Sequence, residues 1–241
     1  MGSRDLVPFW NCNVPDDEKT ADCPPFLLHL SDKDRRIIAS PDSAFVLLDW
    51  PRVRQLVASD RLHLFQRSPL ALRRYRAFIH DLSQSYGSVA DYLLRERLRW
   101  PPPVTPRGRP FEYPSDDVRI LLNDWPYGID PRIVHLVIWT KFQLDEDPTT
   151  GQLTDSARAG IDAFVTGTFC SRLPPDRVGS RPLSHLVAAD TSREVAQIIW
   201  FKNWSSLRSV DQIQHFHVMM FDPDPEIIRH VTNGDIPQYQ R

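Results

Sequence analysis

The densest run of side chains able to move protons or grip an anion is Lys202-Asn203-Trp204 and, beyond a short spacer, His215-Phe216-His217-Val218-Met219. Histidine titrates near neutrality, so a closely spaced pair is a candidate acid–base device. On a strand, the alternation puts both imidazoles on one sheet face, about 7 Å apart, with Phe216 and Val218 turned to the core. Asn203 closes the preceding strand, from which its amide can return beside the histidines, and Lys202 adds a cation. A second group is Asn123-Asp124-Trp125-Pro126-Tyr127-Gly128, followed by His135, Trp139 and Lys141. Asp124, at a strand end, is a candidate to hold a cationic group or orient a histidine, while Trp125 and Tyr127 can stack on a planar group. The alternative is a turn capped by Asn and Asp with both aromatics packed beneath. His135, Val137 and Trp139 share one face, so His135 either lines the cleft of His217 or is a core histidine satisfied internally. Asp222 and Asp224, after the histidine strand, read as first-turn helix acids or as counter-charges for a guanidinium or ammonium. Cys170 reads as a small hydrophobe.

A strand ending in Asn, a short helix over 209–213 and a strand with alternating histidines look like the histidine-triad arrangement. That resemblance makes His217 the nucleophile at a phosphate site. The third histidine position is Met219, a departure from the pattern.

These groups need a sheet to hold them. Val118–Leu122 and Ile133–Trp139 read as strands from their β-branched and apolar content, and Ala196–Phe201 and His215–Phe221 as two more. Thr154 opens an amphipathic helix with Ala157, Ile161, Phe164 and Val165 on one face; a helix over Glu226–Val231 follows the last strand, and 171–193 is a polar loop. Upstream, spacings of three and four predict helices from Pro51, around Leu70–Leu82, and from Ser88 to Trp100. The prolines from Pro101 to Pro114 then make an extended connector. The fold class is α+β: a helical N-terminal half packed on a mostly antiparallel sheet. Three regions are expected, 1–50 as a wrapping segment, 51–110 as an arginine-rich helical region and 111–241 as the α+β catalytic region, within what can be one continuous domain.

Net charge is only −2, which excludes a uniformly basic polyanion binder, but the charge is segregated. Residues 52–109 hold 12 arginines, no lysine and 4 acids. Arginine's planar fork suits phosphate, making Arg67, Arg73, Arg74, Arg76, Arg95 and Arg99 candidate contacts to a polyanion. The competing reading is of solvated helix faces paired with acids of the second half.

The chain of 241 residues, 41% hydrophobic and 25% charged, is long enough to build a core without staples. Twenty-two prolines against nine glycines predict short elements joined by stiff connections. No apolar run reaches membrane-spanning length, and the first residues lack the apolar stretch of a signal peptide. Three cysteines match neither a disulfide framework nor a zinc template, which points to a reduced, cytoplasmic protein with no metal.

Four long motifs carry a family resemblance: 123–129, 133–142, 200–204 and 215–219. With Phe65-Gln66-Arg67, Leu72-Arg73-Arg74-Tyr75 and the tail 232–237, they resemble the fungal N-acetylglucosamine-induced protein family across nearly the whole chain. Some members of that family are arginine-containing cyclodipeptide synthases. The resemblance implies condensation of arginyl-tRNA with a second aminoacyl-tRNA into a cyclic dipeptide. Its partners would be the two aminoacyl-tRNAs, with neither DNA nor a membrane involved. An aminoacyl-tRNA is already an activated ester, so no cofactor is implied. His217 or His135 would serve as base, with His215, Asn203 and Lys202 beside it. Asp124, Trp125, Tyr127, Trp139, Asp222 and Asp224 would bind substrate. Two other expectations stand beside it: a histidine-triad-like nucleotide hydrolase or transferase, and a non-catalytic regulator of amino-sugar metabolism.

Overall fold

The computed structural model of the chain describes residues 7–170, 197–204, 210 and 212–241. The predicted loop 171–193 lies outside the described residues, as do Ser209 and Asp211 of the predicted short helix 209–213, whose Gln212 and Ile213 form a bend.

Prolines and small polar residues set where helices start. Six α-helices are present among the described residues: α1 (Asp32–Ile38), α2 (Trp50–Ala58), α3 (Pro69–Tyr86), α4 (Val89–Tyr92), α5 (Asp155–Thr168) and α6 (Pro225–Val231). Each begins at a side chain that accepts a hydrogen bond from a first-turn N–H: Ser31, Asp49, Ser68, Ser88, Thr154 and Asp224. That satisfies donors a helix end otherwise leaves open. In α2, α3 and α6 a proline occupies the first turn, where its missing N–H does no harm. A π-helical segment, Leu93–Leu98, continues α4 and ends at Arg99 in a left-handed conformation.

Four strands, β1 (Val118–Leu122), β2 (Ile133–Thr140), β3 (Ile198–Phe201) and β4 (Gln214–Phe221), form an antiparallel sheet in the order β1-β2-β4-β3. The protein is therefore α+β, as the sequence predicts. Side-chain alternation divides the sheet into two covered faces. On one, Ile120, Leu136, Ile138, Trp200, Phe216 and Val218 pack with Ile161, Phe164 and Val165 of α5. On the other, Ile199, Phe201 and Met219 pack with Val53, Leu56 and Val57 of α2. Val137 and Trp139, on that same face, pack with Leu82, Leu93, Leu98 and Trp100. The helical N-terminal half is thus the lid over the histidine-bearing face. Before it, residues 7–50 run as short turns and α1, whose Ile38 joins Leu27, Leu30 and Leu72 in a separate small core against α3.

One buried ion cluster ties these parts together. Arg97, 3% exposed at its side chain, donates from Nε and Nη2 to both oxygens of Asp124 (3.0 and 2.7 Å) and from Nη1 and Nη2 to Asp235 (2.7 and 3.0 Å). Asp235 also accepts from the Leu122 N–H, and Asp124 from the Gln238 N–H. Helix, sheet edge and C-terminal tail are locked at one guanidinium.

Candidate functional site

The strand order makes the site. β4 lies between β2 and β3, so His217 pairs across with Val137 on one side and Phe201 on the other, while His135 pairs with Met219. His135 and His217 are then diagonal neighbours on one face, and their rings meet: His135 Nε2 lies 3.0 Å from His217 Nδ1. His215, two residues along, has its ring centre 5.5 Å from that of His217. Asn203, two residues past Phe201 on the same face, brings its amide 3.1 Å from His217 Nε2. Phe201 stacks on His217, Tyr127 on His135, and Trp139 lies against His215.

Burial decides the charge of this cluster. His135 is 4% and His217 6% exposed. Desolvation, aided by the Arg67 charge, pushes His135 down to about 3. His217 is likewise held well below the ordinary value, by desolvation first and then by His135, His215 and Arg67. Both imidazoles are neutral at pH 7, not poised near neutrality as a free base would be.

Neutral rings have one N–H each, and the network assigns them. The Asn123 Oδ1 accepts from the Trp125 N–H at 2.9 Å, so its Nδ2 faces His135, 3.2 Å from Nδ1. His135 Nδ1 is therefore an acceptor and its Nε2 donates to His217 Nδ1. His217 then carries its proton on Nε2, toward Asn203, whose amide must turn its oxygen to meet it. His215 Nδ1 donates to the Ile213 carbonyl at 2.8 Å, which fixes that ring beside His217.

The His215 and His217 rings line a pocket of about 480 Å³ beneath α1, the turn Leu62–Leu64 and α3. Its walls carry three cations, Lys33, Arg67 and Arg76, against one acid, Asp34. Arg67 is fixed: Nε donates to the Trp125 carbonyl at 3.0 Å and the guanidinium lies 4.1 Å above the Tyr75 ring. Lys33 donates to the His63 carbonyl at 2.6 Å, and partial burial lowers its pKa. Beside the pocket-lining His63, the half-exposed Trp204 donates from its indole to Asp60 Oδ1 at 3.2 Å, its ring centre 6.4 Å from that of His63. Among the described residues no cluster of three or more His, Cys, Asp or Glu is placed to hold a metal ion.

Of the residues singled out from sequence, His215, His217, Asn203, Tyr127, Trp139, Arg67 and Arg76 line this pocket, and His135 lies against His217 and Tyr127 without lining it. Others do not. Lys202 precedes Asn203, and alternation turns it to the opposite face of the sheet, where it is ion-paired with Glu146. The Asp124 carboxylate holds Arg97, a guanidinium of the chain itself; burial raises its pKa against the pull of that partner. Trp125 packs against Tyr75 and Phe78. Asp222 and Asp224 sit beyond the far end of β4, Asp224 as the cap of α6. Arg73 donates to the Trp10 carbonyl at 2.6 Å, holding the N-terminal segment on α3. Arg74 is exposed, Arg95 lies over Tyr86, and Arg95 and Arg99 line a separate cleft of about 350 Å³. Sequence reasoning passed over Lys33, Asp34 and His63, which come from segments it treated as wrapping or connection.

Fold and site together define an α+β protein whose antiparallel sheet presents a buried histidine relay to a basic pocket. Residues 49–221 match the model of the family described as protein of unknown function DUF3605, and the chain belongs to that family. Among its relatives, N-acetylglucosamine-induced protein 1 of Candida albicans is 28% identical over 203 residues, covering 77% of this chain and 72% of that protein. An uncharacterized protein of Saccharomyces cerevisiae is 25% identical over 177 residues, covering 72% and 79%. The crystal structure of HTC1 is similar in fold, with a TM-score of 0.55 at 24% identity over 77% of this chain and 94% of that one.

Proposed function

We propose that the chain is a tRNA-dependent cyclodipeptide synthase that condenses arginyl-tRNA with a second aminoacyl-tRNA. The observation that carries this reading is the convergence, in one pocket, of His215 and His217 with a cationic wall of Lys33, Arg67 and Arg76. An aminoacyl ester on a terminal ribose needs that combination: cations for the phosphate that follows the ribose, and a donor and an acceptor for proton transfer.

In the first step the free amine of one aminoacyl ester attacks the ester carbonyl of the other. A C–N bond forms, the C–O bond to the ribose breaks, His215 Nε2 takes the amine proton, and the His217 N–H protonates the leaving ribose oxygen. The dipeptidyl ester then closes on itself: its terminal amine attacks the remaining ester carbonyl, the six-membered diketopiperazine forms, and the second tRNA leaves. Both bonds are made at the expense of activated esters, so no further co-reactant enters. The proton gained by His215 and lost by His217 balances through the adjacent rings or solvent. Burial that keeps His135 and His217 neutral suits this work, because a charged imidazolium there would repel the cationic arginyl group.

The test is incubation of the purified chain with arginyl-tRNA and a pool of other aminoacyl-tRNAs, with mass detection of a diketopiperazine containing arginine. Arg67 and Arg76, which line the pocket together with His217, also fit a nucleotide phosphate, the histidine-triad-like reading. Turnover of a free nucleotide without tRNA would favour that reading instead.

A further inference from the structure

The charged wall of the histidine pocket is positive except at Asp34, and that acid stands out by what it lacks. Asp34, in the first turn of α1, is partly buried and lines the pocket. Every other partly or fully buried carboxylate among the described residues accepts a hydrogen bond or forms an ion pair within the chain. The Asp34 carboxylate does neither. As a first-turn acid it could close a capping box by returning to the Ser31 N–H, but only the other half of that box is made, Ser31 Oγ accepting from the Asp34 N–H at 3.1 Å. The cations of the same helix are turned elsewhere: Lys33 to the His63 carbonyl, Arg35 over the Phe9 ring and Arg36 to the Asp32 carbonyl. A carboxylate taken partly out of water without a partner carries a desolvation cost that a bound cation would offset.

A ligand that matches this wall carries both signs of charge: an anion for Lys33, Arg67 and Arg76 and, apart from it, a cation for Asp34. The pocket lies between α1, which bears Asp34, and the sheet, which bears His215 and His217, so a ligand reacting at the imidazoles reaches Asp34 through a long arm. Ile37 and Leu72 also line the pocket and offer apolar surface to the methylenes of such an arm. A guanidinium at its end suits a carboxylate, which can accept two parallel N–H bonds from the planar fork. We propose that Asp34 selects the substrate by pairing with the guanidinium of its arginyl group. That this guanidinium arrives on an aminoacyl ester rests on the function proposed above; the pairing itself requires only a ligand with phosphate at one end and a guanidinium at the other.

The experiment measures binding of two amide-linked nucleotides that cannot transfer their acyl groups, 3′-arginylamino-3′-deoxyadenosine 5′-phosphate and its citrullyl counterpart, whose uncharged urea replaces the guanidinium. Both are titrated into the full chain, Asp34→Asn and Asp34→Glu. The unmodified chain should prefer the arginyl compound by about 10- to 150-fold, the range for a hydrogen bond to a charged group. In Asp34→Asn the two should bind within about twofold of each other, with the citrullyl affinity unchanged, and Asp34→Glu should keep most of the preference. Equal binding of the two compounds by the unmodified chain, or binding of neither, overturns the proposal. So does a preference retained in folded Asp34→Asn, or a loss there that falls equally on both compounds. If Asp34 carries the preference but charged tRNAs yield no diketopiperazine, the guanidinium site stands and the condensation reading falls. If the diketopiperazine forms and Asp34→Asn remains as selective for arginine, the condensation reading stands and the role of Asp34 falls.

Discussion

Lowering the pH from 7.5 to 5.0 should destabilise the protein through its buried imidazoles, and His135 gives the magnitude. Its folded pKa of about 3 lies below the 6.5 of an unfolded chain. The contribution is therefore fully present above pH 6.5 and is lost as pH falls from there toward 3. At pH 5 an unfolded histidine is about 97% protonated and the folded one about 1%, a difference of about 2 kcal/mol in favour of unfolding. His217 is shifted in the same direction by the same burial and adds to it. Against a total stability of about 5–15 kcal/mol this is a large loss. Urea unfolding at the two pH values, on the full chain and on His135→Gln, isolates the effect, since every other titrating group is common to both. The drop between pH 7.5 and 5.0 should shrink by about 2 kcal/mol in the variant. An equal drop in both proteins would show that His135 is not held neutral, and the relay argument would fail with it.

Arg97→Ala leaves Asp124 and Asp235 facing each other without their cation and should cost about 3–5 kcal/mol, read as a lowered urea midpoint. Arg76→Gln, in the pocket wall, should weaken tRNA binding and flatten its salt slope by about one unit with thermal stability unchanged. Arg73→Gln should do the reverse, lowering stability by about 1 kcal/mol through its lost bond to Trp10 while leaving the salt slope intact. Gly128→Ala would set a Cβ 2.2 Å from the Phe45 ring, so about 1–3 kcal/mol should be lost and the Tyr127 loop displaced; unchanged thermal unfolding would show that Phe45 swings away freely.

Much of the sheet is legible in the sequence because its signals are local. The apolar runs at 118–122 and 133–140 are strands, Thr154 caps α5, and the His-x-His spacing does put His215 and His217 on one face. The same alternation separates Lys202 from Asn203, a signal present in the sequence that a grouping by residue type overrides. Arg97, in the same arginine-rich run, sits three and four residues from Leu94 and Leu93 on an inward stripe, and its spacing sets it apart from the arginines read as phosphate contacts. What no local signal carries is strand order. Only the insertion of β4 between β2 and β3 brings His135, 82 residues away, into contact with His217. The pocket's outer wall is non-local for the same reason: Lys33 reaches it because α1 packs on α3, through contacts spread over Leu30, Ile38 and Leu72.

The most direct test of the histidine pocket as the seat of dipeptide formation is reconstitution with arginyl-tRNA carrying labelled arginine and a pool of other aminoacyl-tRNAs, comparing the full chain with His215→Ala and His217→Ala. The account predicts a labelled diketopiperazine from the unmodified chain and a loss of about 10²- to 10⁴-fold in each folded variant. No labelled product from the unmodified chain, or product within tenfold of it from both folded variants, would contradict the account.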